Sequence, residues 1–332
     1  MRKRLVIGLL LVAVFVSVAH FLVTDRLSAA KPVVVNIGYE NNPGEPLDLA
    51  CKEWQRLVEE RSNGTIKIQL FPSSQLGTKK DATEQMLMGA NVVHITDPSF
   101  LMDYVPDMGI LSAPYIVETY DQLFELFETD WYKGLKKELE AKGLTIVADN
   151  WIYGDRHLLA TRPARKPEDL KGLKIRIPNN RLSIEMMEAM GATATPMPLG
   201  EVYPALAQGV IGGAENPLSV LYGAKLQEEA KYLSLTEHQK MVIFWLGSAQ
   251  FFNSLPKEQA DLIRKAGMDA GLAMKEINEK NDQKLMENFK KEGVQIITDV
   301  DKEAFRENCK AIYDKFPQWS EGLYDKIQNL IK

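Results

Sequence analysis

The chain repeats one strand–helix rhythm on either side of a turn-rich segment, and this repetition restricts it to an α/β architecture with two lobes. In the first half, Val33 to Ile37 reads as a buried strand. Leu47, Ala50, Trp54, Leu57 and Val58 then recur at helical spacing, and Ile66, Ile68 and Leu70 alternate with Lys67 and Gln69 as a strand with one wet face. Ala82, Met86 and Leu87 mark a second helix ended at Gly89, and Val92 to Thr96 is a third strand. Such an order places helices around a sheet. The turn-rich segment is Lys166 to Gly172. Beyond it come a strand at Leu173–Ile177, a helix at Arg181–Met190, extended chain at Thr193–Met197 and a helix at Glu201–Gln208. Tyr120–Lys142 and Lys257–Gly293 read as helical, Gln295–Ile297 as a short strand, and the tail from Lys302 as helical. Two long extended stretches, Leu144–Tyr153 and Met241–Phe252, are expected to run between the lobes as hinges. One lobe then comprises residues 31–153 with about 242–281, the other 154–241 with about 282–332.

The N-terminus reads as an export signal. Arg2, Lys3 and Arg4 form a positive head, Leu5 to Ala19 is apolar, and Ser28, Ala29 and Ala30 offer small residues for cleavage. Residues 1–30 are therefore expected to be removed; an uncleaved anchor is the alternative. That piece carries four of the 40 Lys/Arg and one of the 45 Asp/Glu, which leaves 36 against 44 and a net charge of −8. The balance argues against nucleic acid as a partner. An anionic ligand would need a local positive site, because the overall field repels it. Cys51 and Cys309 fall in helical text and are expected to remain buried free thiols. No CxxC or Cys/His cluster supports a metal site.

Catalytic patterns are missing. The sequence holds no G-x-S-x-G, no G-x-G-x-x-G and no P-loop. His94 falls in a strand, and His157 and His238 stand apart from any nucleophile motif. Acid pairs such as Glu59–Glu60 and Glu228–Glu229 read as solvated helix faces. Gly209 to Gly213 reads as a turn. No cofactor is expected. A hydrolase acting on acidic sugars is the least favoured reading, since a carboxylate pair can hide in any acidic chain.

The stretch from Arg156 to Tyr222 is more specific. It contains Arg156-His157, then Lys171-Gly172-Leu173-Lys174-Ile175-Arg176-Ile177-Pro178-Asn179-Asn180, then Pro196-Met197-Pro198-Leu199-Gly200-Glu201-Val202-Tyr203, then Glu215-Asn216-Pro217-Leu218. With Phe71-Pro72-Ser73-Ser74-Gln75-Leu76-Gly77 upstream, it closely resembles the substrate-binding proteins of tripartite ATP-independent periplasmic (TRAP) transporters, the DctP family. The likeness spans essentially the whole mature chain. It implies a two-lobed, periplasmic-binding-protein-like fold with hinge-crossing strands and a long hinge-spanning helix. It also implies a periplasmic receptor, monomeric and not an enzyme, that passes a small organic acid to the small and large membrane subunits of the transporter. A sensory receptor built on the same lobes is the alternative.

The resemblance makes Arg176 the carboxylate anchor. Physical chemistry agrees, because a guanidinium offers a planar fork of donors that fits a carboxylate. Strand alternation alone puts Arg176 with Lys174 on the face opposite Leu173, Ile175 and Ile177. Arg156 corresponds to a second cleft arginine, against the reading of a hinge ion pair. Asn216 corresponds to an asparagine that bonds the ligand, against a turn residue before Pro217, and Asn179 follows the anchor turn. Glu40 and Asp97 stand after the first and third strands, where they can accept bonds from hydroxyls. Trp151 is either an apolar cleft wall or core. The sialic-acid branch carries Glu and Arg where this chain has Asp97 and Phe100, and an aromatic where it has Leu199. Sialic acid is thus disfavoured. A uronate or other sugar acid is expected, with a C4-dicarboxylate or keto acid as runner-up.

Overall fold

The computed structural model describes residues 31–332; the export signal expected at residues 1–30 lies outside the described residues. Nine strands form one sheet: β1 Val33–Gly38, β2 Ile66–Phe71, β3 Val92–Thr96, β4 Leu144–Ala160, β5 Lys174–Ile177, β6 Thr193–Pro196, β7 Gly213–Pro217, β8 Tyr232–Ser248 and β9 Gln295–Ile297. Their order is β2-β1-β3-β8-β4-β7-β5-β6, with β9 added on β8. At its centre β4 and β8, of 17 residues each, run antiparallel. The first βα rhythm lies on the β8 side: β1 pairs parallel with β3, and β3 antiparallel with β8. The second lies on the β4 side, where β7 is antiparallel to β4 and β5 runs parallel to both β6 and β7. The fold is α/β and two-lobed, and the lobes share the two crossing strands.

Four helices bear on the site: α1 Pro46–Arg61, α2 Lys79–Leu87, α3 Arg181–Ala189 and the 35-residue α4 Lys257–Lys291. The last packs along β4 and α1, and glycines let it come close. A Cβ at Gly271 would lie 2.3 Å from Asn150 Oδ1, and one at Gly267 would lie 2.7 Å from the Trp54 ring. Trp54 Nε1 donates to Ile263 O at 3.0 Å, and Trp151 Nε1 to Gly267 O at 2.8 Å. Buried indole N–H groups need such acceptors. Trp151 is fully buried, with ring centres 5.8 Å from Trp54 and 5.0 Å from Trp245. It is therefore core and not a cleft wall: the packing of α4 on the sheet claims both its ring and its N–H.

Three stretches differ from their sequence reading. Strand β8 begins at Tyr232, well before Met241, and stops at Ser248, where Ala249–Ser254 turns helical. Its polar half, Thr236 to Lys240, hid the strand, yet Thr236, His238 and Gln239 are buried there. The helical text of Tyr120–Lys142 is two helices, because Thr129 caps a new one by accepting from Tyr132 N–H at 3.3 Å. Gly213–Pro217 is a fully buried strand, where the glycine cluster ending at Gly213 reads as a turn in the sequence. Cys51 and Cys309 are buried and free. Among the described residues no helix is long and apolar enough to cross a membrane.

The crossing strands are irregular at several levels. The β4–β8 register shifts between Ile146 and Ala148, between Ala148 and Trp151, between Ile152 and Gly154, and between Arg156 and Leu158. Gly154, which pairs with Met241, has φ +124°, and Glu237 on β8 has φ +45°. A Cβ at Gly154 would also meet Pro217 Cβ at 3.0 Å. Gly154→Ala is therefore expected to cost about 1–3 kcal/mol through backbone strain. Urea denaturation should show a lower midpoint at unchanged slope; an unmoved midpoint would show that this kink tolerates a side chain.

Candidate functional site

Arg176 is set by the short strand β5, held between Thr195 of β6 and Ala214 of β7. Ile175 and Ile177 point into the core, and Pro178 ends the strand, so the Arg176 backbone has little freedom. Its side chain is only 3% exposed. Nε and Nη2 donate to Met197 O at 3.0 and 2.8 Å. Nη1 makes no hydrogen bond among the described residues, and no carboxylate among them lies within ion-pair distance of the guanidinium. Burial therefore pushes this guanidinium down to about 10, with the charge of Glu40 the strongest influence in the other direction. A buried charge normally has a partner, because leaving water costs more than one neutral acceptor returns.

The guanidinium borders a cavity of about 240 Å³. Glu40, Lys79, Phe100, Tyr104 and Asn179 share its lining. Lys79 Nζ lies 3.0 Å from Glu40 Oε2 and 3.2 Å from Asp97 Oδ2, and 4.9 Å from the Phe100 ring centre. Burial alone would raise the Glu40 carboxyl, but the bonded Lys79 and the more remote Arg176 hold it below its ordinary range. Asp97, at the end of β3, also accepts from the Ser99 hydroxyl. Glu40 lines the anchor cavity as a carboxylate acceptor, and Asp97 stands beside it, bonded to the same lysine.

A second group lies behind Pro178. Arg156 on β4 binds Glu215 on β7 through Nε and Nη2, the latter at 2.6 Å from Oε1, and Nη2 also reaches Glu215 O at 3.1 Å. His238 Nε2 donates to Glu215 Oε2 at 3.1 Å, while the Thr236 hydroxyl donates to His238 Nδ1 at 2.8 Å. Burial would raise the Glu215 carboxyl, but Arg156 and the His238 bond keep it at about 2. Arg156, Asp97 and Pro178 line a gap of about 10 Å³, room for one water.

The fold thus gathers Arg176, Glu40 and Asn179 around one cavity, with Asp97 beside it. Arg156 is buried and engaged by Glu215, as in the alternative reading of an ion pair near the hinge. Asn216 is 4% exposed on β7 opposite His157 and does not line the Arg176 cavity. In the sequence Lys79 is not singled out, Glu215 is read only as a member of the motif before Pro217, and His238 as isolated. Lys79 stands at the first turn of α2, where a cation opposes the helix dipole, and that misfit is the signal that could have exposed it.

Comparison with known proteins adds relatives across nearly the whole chain. The DctP family model, described as bacterial extracellular solute-binding protein, family 7, matches residues 37–318. A TRAP periplasmic solute binding protein from Ochrobacterium anthropi, solved with bound L-fuconate, is 49% identical, covers 91% of this chain and 100% of its own, and aligns with a TM-score of 0.88. One from Actinobacillus succinogenes 130z, with bound L-galactonate, is 41% identical at 90% and 99% coverage and a TM-score of 0.88. The 2,3-diketo-L-gulonate-binding periplasmic protein YiaO of Escherichia coli K12 is 31% identical over 295 residues, 88% of each chain.

The Arg156–Glu215 pair makes stability depend on acid. The folded-state value of Glu215 is about 2 against an ordinary 4.5, so its contribution is complete above about pH 4.5 and fades as pH falls towards 2. Glu215→Gln should strand Arg156 and cost about 3–5 kcal/mol at neutral pH. The variant should also lose this part of the acid dependence. Urea titrations at pH 7 and pH 3 measure both; equal stability of variant and wild type at pH 7 would contradict the pairing.

Proposed function

The chain belongs to bacterial extracellular solute-binding protein family 7 and is a TRAP-type solute receptor, not an enzyme, and from that premise we propose that its cargo is a sugar acid held by its carboxylate at Arg176. One observation carries the reading: Arg176 is buried with a free donor edge and no acidic partner among the described residues. A ligand carboxylate supplies the missing charge in a bidentate geometry. Glu40, held below its ordinary range, and the carboxyl of Asp97 beside it offer acceptors suited to hydroxyl groups and disfavour a second carboxylate. Asn179 adds an amide at the cavity wall. The volume of about 240 Å³ suits a small solute. L-fuconate, L-galactonate and 2,3-diketo-L-gulonate, the solutes of the three relatives, each combine one carboxylate with a chain of oxygen groups.

The protein works in the periplasm as a monomer after export through residues 1–30. Residues 31–153 with 242–281 form one lobe, and 154–241 with 282–332 the other. They close on the ligand by bending at Gly154 and Glu237, and the closed form delivers its cargo to the small and large membrane subunits. Thermal unfolding against L-fuconate, L-galactonate, D-galacturonate and succinate tests the cargo. A true ligand at about 100 times its Kd should add about 2.7 kcal/mol of stability. Arg176→Ala should abolish that gain, and Arg176→Lys should lose most of it, because an ammonium lacks the fork. Stabilisation by succinate with none from the sugar acids would reject the proposed cargo.

A further inference from the structure

Lys79 is the one cation among three acidic and basic groups that meet at the rim of the cavity, where it bonds Glu40 and Asp97 together. Its side chain is 14% exposed, so the arrangement is shielded from water. Nothing about helix formation asks for a lysine there. Its backbone is fixed by the Thr78–Asp81 capping box, in which Asp81 N–H donates to Thr78 Oγ1 at 3.3 Å and Thr78 N–H to Asp81 Oδ2 at 2.8 Å. A positive charge at this end of a helix is unfavourable. Glu40 meanwhile has two cations within its field, Lys79 and Arg176, and it is bonded to Lys79.

We propose that Lys79 is a specificity-determining residue that keeps Glu40 from closing onto Arg176, so that the anchor stays open for a ligand carrying one negative charge. The proposal rests on the reading of Arg176 as carboxylate anchor. Without Lys79, Glu40 and Asp97 would be two buried acids with no bonded cation, and Arg176 a buried cation with no acid. The nearest relief for both is a Glu40–Arg176 ion pair, which occupies the donors the ligand needs. With Lys79 in place, the acids Glu40, Asp97 and Asp103 and the cations Lys79, Lys80 and Arg176 balance to zero, Asp103 and Lys80 being exposed. A monoanion then leaves one negative charge in the site and a dianion leaves two, in surroundings where each uncompensated charge is costly.

Crystal structures of ligand-free Lys79→Met and Lys79→Gln are the direct test, the glutamine variant keeping a polar side chain at a buried position. Both should bring a Glu40 oxygen within about 4 Å of the Arg176 guanidinium, the span of an ion pair. Calorimetric titration with L-fuconate follows for wild type, Lys79→Met, Glu40→Gln and the double variant. Lys79→Met should bind at least about tenfold more weakly than wild type. The double variant should bind more tightly than Lys79→Met, because the competing acid is gone. Glu40 remaining apart from Arg176 in both structures, or a double variant no better than the single, would overturn the proposal. If wild type binds no sugar acid, the proposed cargo fails while the crystal structures still decide the role of Lys79.

Discussion

The pairing of β4 with β8 is the constraint on which the rest depends. Both strands are long enough to belong to two lobes, and each supplies the central template of a different half of the sheet. β3 adds to β8 and β7 adds to β4, so the loops after β1 and β3 face the end of β5 across the same ladder. Glu40 and Asp97 come from one side, Arg176 and Asn179 from the other. The site is thus assembled from both halves of the sheet, and Gly154 and Glu237 depart from ordinary backbone angles in the two strands that join them. Helix α4 packs along β4, over the three tryptophans.

Two arginines of the same sheet illustrate how context assigns chemistry. Arg156 has its planar face matched by Glu215, and His238 and Thr236 complete the network, so every charge there is satisfied within the protein. Arg176 has only the carbonyl of Met197. The first is a structural ion pair that joins β4 to β7. The second carries an unfavourable desolvation without an acidic partner among the described residues, the feature on which its proposed role as anchor rests. A receptor gains affinity from such a group at the expense of its own ligand-free stability.

Much of this was legible in the sequence. Strands β3 and β9 and helix α1 follow from alternation and helical spacing with small boundary shifts, and the alternation in β5 set Arg176 apart from the core isoleucines. The motif around Arg176 and the one ending in Glu215-Asn216-Pro217-Leu218 identified the family, as the match over residues 37–318 bears out. What escaped had physical causes. The polar half of β8 does not look like a strand, because its buried His238 and Gln239 are satisfied by Glu215 and Ser112, distant in sequence, and Thr236 by His238. β7 was hidden by the paired glycines at its start, which serve close contact: a Cβ at Gly213 would lie 2.6 Å from Leu159 O. Trp151 was ambiguous because a large apolar ring fits a cleft or a core equally well, and only the approach of α4 decides. Lys79 could not be read, since its meaning comes from two acids at the ends of other strands.

The tryptophan arrangement has an optical consequence. Trp54, Trp151 and Trp245 lie within 5.0–5.8 Å of one another, ring centre to ring centre, in a dry setting, and no tryptophan lines the Arg176 cavity. Excitation absorbed by one of the three is shared among them, so they act as a single blue-emitting chromophore. A colourless sugar acid in the cavity cannot quench it by contact. A change in intrinsic fluorescence on adding such a solute would therefore come from rearrangement around the tryptophans, Trp131 and Trp319 included, and not from contact with the solute.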